Sequence, residues 1–86
     1  MKPYTDIKTN NVIIREFGDD VDPIELKWHR DLVDRTVTIL EGSGWYFQKD
    51  NQTPIELKEG VRIFINKLEW HRVIKGSSPL KIQIEE

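Results

Sequence analysis

From Asn11 onward the apolar residues arrive in short blocks, each closed by residues that turn the backbone. Val12-Ile13-Ile14 runs toward Gly18-Asp19-Asp20. Arg35 to Leu40, rich in β-branched side chains, ends at Glu41-Gly42-Ser43-Gly44, and Trp45-Tyr46-Phe47 stops at Lys49-Asp50-Asn51. Pro54 to Leu57, Val61 to Ile65 and Glu69 to Ile74 follow. After Gly76-Ser77-Ser78-Pro79 comes Leu80-Lys81-Ile82-Gln83-Ile84, a strict alternation that puts Leu80, Ile82 and Ile84 on one face. Turn signals at intervals of roughly 8–12 residues are those of a β-sandwich or barrel, so the chain is expected to be all-β.

One segment competes with that reading. Asp22-Pro23-Ile24-Glu25 has the order of a helix start, with Asp as N-cap, Pro at the first position and Glu at the third. A helix over 23–34 would align Ile24, Trp28 and Leu32. Yet Pro-Ile-Glu-Leu-Lys recurs at 54–58, where Glu59-Gly60 and the β-rich Val61 to Ile65 oppose a helix. The recurrence favours a strand over 23–31. The difference is chemical: in a helix His29 and Asp31 lie about 200° apart, whereas in a strand they share a face.

At 86 residues the chain has the size of one domain, expected over 1–86, with about 60–65% of its surface available for burial. It has no cysteine, which excludes disulfides and thiolate metal sites. Its 13 basic and 15 acidic residues are dispersed, giving no basic stripe to support nucleic-acid binding. Neither the opening Met1-Lys2-Pro3-Tyr4-Thr5-Asp6 nor any later run has the apolar length of a leader or a membrane span. A cytoplasmic protein without nucleic-acid or membrane partners is the expectation.

The chain holds two histidines, both inside the same tripeptide, Trp28-His29-Arg30 and Trp70-His71-Arg72. Asp31 follows the first. Two imidazoles and a nearby carboxylate make the smallest set for a facial metal triad, provided they converge. On the 24–31 segment His29 shares its face with Glu25, Lys27 and Asp31, a polar lining. The opposite face carries Ile24, Leu26 and Trp28 and needs cover, so a homodimer is expected. Trp28 and Trp70, next to the histidines, are read as core or dimer contacts. Trp45 and Phe47 are read as core, leaving Tyr46 and Gln48 on the other face as secondary candidates for ligand contact.

The region from His29 to Lys75 resembles a small single-domain cupin. The family's first motif, H-x-H-x3-E-x6-G, is matched in spacing by His29, Asp31, Arg35 and Gly42, and its second, G-x5-P-x-G-x2-H-x3-N, by Gly60, Asn66, Leu68, His71 and Lys75. Motif one thus spans about 29–42 and motif two about 60–75. Asp31 replaces the second histidine and Arg35 the glutamate, while Asn66, Leu68 and Lys75 replace the proline, glycine and asparagine of motif two. The resemblance implies a double-stranded β-helix, or jelly-roll barrel, with His29, Asp31, Arg35 and His71 at its mouth. It also implies a divalent metal (Fe, Mn, Ni or Zn) on His29, Asp31 and His71. Arg35 opposes that ion by charge. It would have to swing out or pair with Asp31, and an Asp31–Arg35 ion pair could stand in place of the metal.

Two functions follow. In one, the mouth binds a small polar or anionic molecule through His29, Asp31, Arg35, His71, Tyr46 and Gln48, with a divalent metal as a further component. In the other, a His29–Asp31–His71 metal serves an oxygenase, isomerase or lyase.

Overall fold

Alternating burial along the last strand dictates the centre of the molecule. In the computed structural model, which describes residues 3–86, strand β8 (Leu80–Glu85) turns Leu80, Ile82 and Ile84 inward, all buried. It lies between two neighbours. β2 (Val12–Phe17) pairs along one edge and β3 (Arg35–Glu41) along the other, both antiparallel. β1 (Tyr4–Thr9) pairs with β2 and β6 (Arg62–Ile65) with β3, completing a five-stranded sheet of order β1-β2-β8-β3-β6. A second sheet, β5-β4-β7, is built from Ile55–Glu56, Tyr46–Lys49 and His71–Ile74. Met1 and Lys2, which the reading of the N-terminus and the 1–86 domain include, lie outside the described residues.

The core fills the space between the sheets. Val37 and Ile39 from β3, Ile63 and Ile65 from β6, and Phe47 from β4 meet the β8 side chains there, joined by Phe17, Trp45 and Leu57. Trp45 is fully buried, and its indole N–H donates to the Ser78 carbonyl at 2.6 Å, so the ring enters the core with its polar atom satisfied. A bulge between Ile39 and Glu41 shifts the β3–β8 register and bends β3 over the core. Both glycines of the sequence match are structurally required. A Cβ at Gly42 would lie 2.7 Å from Leu80 Cδ1, and Gly60 adopts φ +85°.

Two elements differ from expectation. β1 is an edge strand with mostly exposed side chains, so it carries no alternating apolar signal. It is formed by a two-residue turn in which Asn10 takes the left-handed conformation (φ 42°). The 23–31 segment is neither a helix nor a full strand. Asp22 does cap a turn, its carboxylate accepting from the Ile24 N–H at 3.1 Å, but the turn is a single 3₁₀ turn, Pro23–Glu25. The chain then extends and touches β7 through one antiparallel pair, His29 with His71. Backbone pairing to β7 outweighs the local helix signal. Among the described residues no helix is long and apolar enough to cross a membrane.

Candidate metal centre

His71 opens β7 facing inward, in parity with Val73, and is 3% exposed, the one buried polar residue among those described. His29 reaches the same point from the other side of the His29–His71 pair, whose two backbone N–H groups each donate to the partner's carbonyl at 2.9 Å. The ring centroids are 4.2 Å apart, edge to face. Asp31, two residues on, joins them as an extended backbone requires. One ligand atom from each of His29, Asp31 and His71 lies within 4.8 Å of the others.

The hydrogen bonds fix which atoms are free. Nδ1 of His71 is 2.8 Å from the Glu69 carbonyl and Nδ1 of His29 is 3.1 Å from the Lys27 carbonyl. A carbonyl only accepts, so both Nδ1 atoms carry hydrogen and each neutral ring keeps its Nε2 lone pair. His71 Nε2 then faces Asp31 Oδ2 at 3.4 Å. Oδ2 is buried and has no hydrogen-bond partner. Burial holds His71 below the ordinary histidine range, with His29 and Arg35 acting in the same direction against the Glu69 carbonyl and the Asp31 charge. Two acceptors therefore oppose each other inside the protein, an arrangement that a shared cation satisfies.

Arg35 makes the expected ion pair, but with one oxygen only: Nη1 is 3.2 Å from Asp31 Oδ1, leaving Oδ2 toward the histidines. The rest of the guanidinium is taken by Glu86, with Nε and Nη2 each 2.7 Å from its Oε2. Ion pairing and ligation are thus compatible, where the sequence set them against each other. Glu86 is the residue that sequence reasoning missed, since it lies 51 positions from Arg35 and in neither motif.

A cavity of about 50 Å³ runs from the group into the core, where Phe17, Val37 and Ile82 wall it. In front lies a vestibule of about 350 Å³, lined by Tyr4, Arg15, Lys27, His29, Asp31 and Arg35 among others. Arg15 is committed to Asp6 through two bonds of 2.8 and 3.0 Å. The structure thus brings together His29, Asp31, Arg35 and His71. It does not bring Tyr46 or Gln48 to them. Phe47 faces the core, so strand alternation turns its neighbours outward, where Gln48 accepts from Arg72 Nε at 2.9 Å. Trp28 and Trp70 are also outward, 40% and 43% exposed, and not part of the core as one reading had it.

No protein-family model and no curated protein matches the chain. Solved structures do. One structure of the DMSP lyases RdDddP and RnDddQII superposes with TM-score 0.72 at 19% identity, over 85% of this chain and 35% of that one. FeII HppE in complex with substrate gives 0.68 at 15%, over 96% and 52%. A cupin domain from Bordetella pertussis gives 0.62 at 20%, over 99% and 95%. The chain thus spans about a third of the lyase and half of HppE, but nearly the whole Bordetella domain. With two antiparallel sheets closed over one core and the His-Asp-His group at the open end, this chain is a small cupin-fold protein.

Proposed function

We propose that the chain binds one divalent metal ion through His29, Asp31 and His71 and uses it to hold a small polar or anionic molecule in the vestibule. The observation that carries this reading is the buried, unpartnered Asp31 Oδ2 facing the His71 lone pair. Two imidazoles and one carboxylate, with no thiolate in the chain, suit Fe(II) first and Mn(II), Ni(II) or Zn(II) after it. When bound, such an ion supplies a Lewis acid toward a ligand oxygen.

The chain's own residues do the rest. The Lys27 and Glu69 carbonyls orient the imidazoles, and Arg35, braced on Glu86, orients Asp31. Lys27 faces the vestibule with no ion pair among the described residues, so its charge is available to draw in an anion. A catalytic reading at the same site is supported by the lyase and HppE likenesses. The exposed Ile24, Leu32 and Phe64 support a homodimer, for which light scattering is the test, and the absence of cysteine suits a cytoplasmic setting.

Titration of metal-free protein with Mn(II) tests the proposal. One ion per chain is expected for the native protein, with binding lost in His29→Ala and His71→Ala. The Mn(II)-loaded protein should then bind oxalate, a small dianion, and Lys27→Glu should weaken that binding. Equal Mn(II) uptake by the native chain and both histidine variants would place the ion elsewhere and end the proposal.

A further inference from the structure

The two Trp-His-Arg tripeptides meet as antiparallel partners. Because His29 and His71 exchange both backbone hydrogen bonds at 2.9 Å, the residues one step to either side also lie opposite each other. Trp28 thus faces Arg72, and Arg30 faces Trp70. In both cases the guanidinium sits over the indole, Arg72 4.8 Å from the Trp28 ring centroid and Arg30 5.0 Å from that of Trp70. Alternation puts these four on the outer face and the two histidines on the inner one. The repeated tripeptide, whose offset of 42 differs from the 31 of Pro-Ile-Glu-Leu-Lys, is therefore self-complementary: each copy supplies the cation for the other's ring.

The segment that this pairing holds is otherwise weakly anchored. No residue between Asp22 and Asp34 is buried, and Leu26 alone among its apolar side chains packs on the core. Beyond the histidine pair, the backbone N–H of Leu68 donates to the Asp31 carbonyl at 2.7 Å and that of Lys67 to the Asp34 carboxylate at 2.8 Å. A segment with so little buried apolar surface opens easily. Yet it carries two of the three groups that converge at the mouth.

We infer that the Trp28–Arg72 and Trp70–Arg30 pairs form a clasp that docks the 26–34 segment onto β7 and so sets the spacing of His29 and Asp31 from His71. All four are positioning residues. Their consequence for metal affinity rests on the function proposed above, while the docking itself does not. Affinity for an ion that needs the docked segment falls in proportion to the docked fraction. Each exposed cation–π pair shifts the docking equilibrium about two- to fivefold, so loss of both should shift it about four- to twenty-five-fold.

Amide hydrogen exchange of the metal-free protein tests the clasp directly. In Trp28→Ala/Trp70→Ala the His29 N–H, bonded to the His71 carbonyl, should exchange about four- to twenty-five-fold faster, with core amides such as Ile39 and Ile82 unchanged. Mn(II) affinity should fall by as much as the docked fraction, read from the protection of the His29 N–H, falls, and Trp28→Phe/Trp70→Phe should restore most of both. Arg30→Gln/Arg72→Gln removes the cations, keeps the rings and decides the matter should the alanine variant fail to fold. Unchanged His29 exchange in the folded variants overturns the clasp. Mn(II) affinity that does not follow the docked fraction overturns the positioning role. A native chain that takes up no Mn(II) removes the function proposed above and leaves the exchange result to decide the clasp alone.

Discussion

The two oxygens of Asp31 have separate roles: Oδ1 is tied to Arg35 at 3.2 Å, and Oδ2 is left buried opposite the His71 lone pair. Stability and function therefore pull against each other at this residue. In Asp31→Asn the amide oxygen can still accept from Arg35 while the amide nitrogen donates to His71 Nε2. The metal-free variant is expected to gain about 1 kcal/mol in urea unfolding, while divalent-ion binding is lost. Arg35→Glu acts in the opposite sense. It removes a cation beside the site and sets three carboxylates together, so metal affinity should rise at least tenfold, about 1.4–3 kcal/mol at intermediate dielectric, and metal-free stability should fall. Calorimetric titration and unfolding of the same sample read both.

His71 adds a pH dependence of defined sign. Its pKa is lowered by burial from 6.5, so below that pH the unfolded chain takes up a proton that the folded chain resists. This contribution to metal-free stability is complete above pH 6.5 and is lost as pH falls from there through the lowered folded value. The urea midpoint should drop between pH 7.5 and 5.5, and His71→Phe should lack that part of the drop.

The segment between Asp22 and Asp34 and strand β7 carry the candidate site, and they show what the sequence could and could not reveal. Strand identity was legible wherever one face is buried, as at Leu80, Ile82 and Ile84. It was not legible in β1, whose exposed edge needs no apolar period. The convergence of His29 and His71 was implied by the resemblance to the cupin motifs, in which Gly42 and Gly60 are the anchoring glycines. The Trp–Arg clasp was not, because cross-strand partners are defined only once the antiparallel pairing is known. Strand parity did contain the outward direction of Tyr46 and Gln48, since a core Phe47 forces it. The cap signal at Asp22-Pro23 was set aside for a strand over 23–31, yet the chain does make the capped turn, Pro23–Glu25, before it pairs with β7.

Leu68 stands where the family motif has glycine, and its backbone keeps the left-handed conformation at φ 64°. For a leucine this costs roughly 1–2 kcal/mol, partly offset in a glycine variant by greater unfolded-state entropy. Leu68→Gly is therefore expected to raise stability by about 0.5–1 kcal/mol in chemical unfolding and to leave the Leu68 N–H bond to Asp31 in place. A loss of stability would mean that the half-exposed side chain contributes more than its backbone strain costs.

The molecule as a whole is a cupin-fold barrel with an apolar core, and the His29, Asp31 and His71 group lies beside that core. The apolar cluster that joins the sheets includes none of His29, Asp31 and His71, so the metal-free chain is expected to fold. Binding should still stabilise it, since a ligand held at a hundredfold excess over its dissociation constant adds about 2.7 kcal/mol. Chelation should accordingly lower the melting temperature of loaded protein without unfolding it at room temperature. The most direct measurement is the metal content of protein purified without added metal and of the same protein after anaerobic reconstitution with Fe(II) and desalting. The expected result is close to one divalent ion per native chain after reconstitution and none in His71→Ala. A native chain that retains no stoichiometric ion under those conditions would contradict the metal centre and leave Asp31 Oδ2 without the partner that its burial demands.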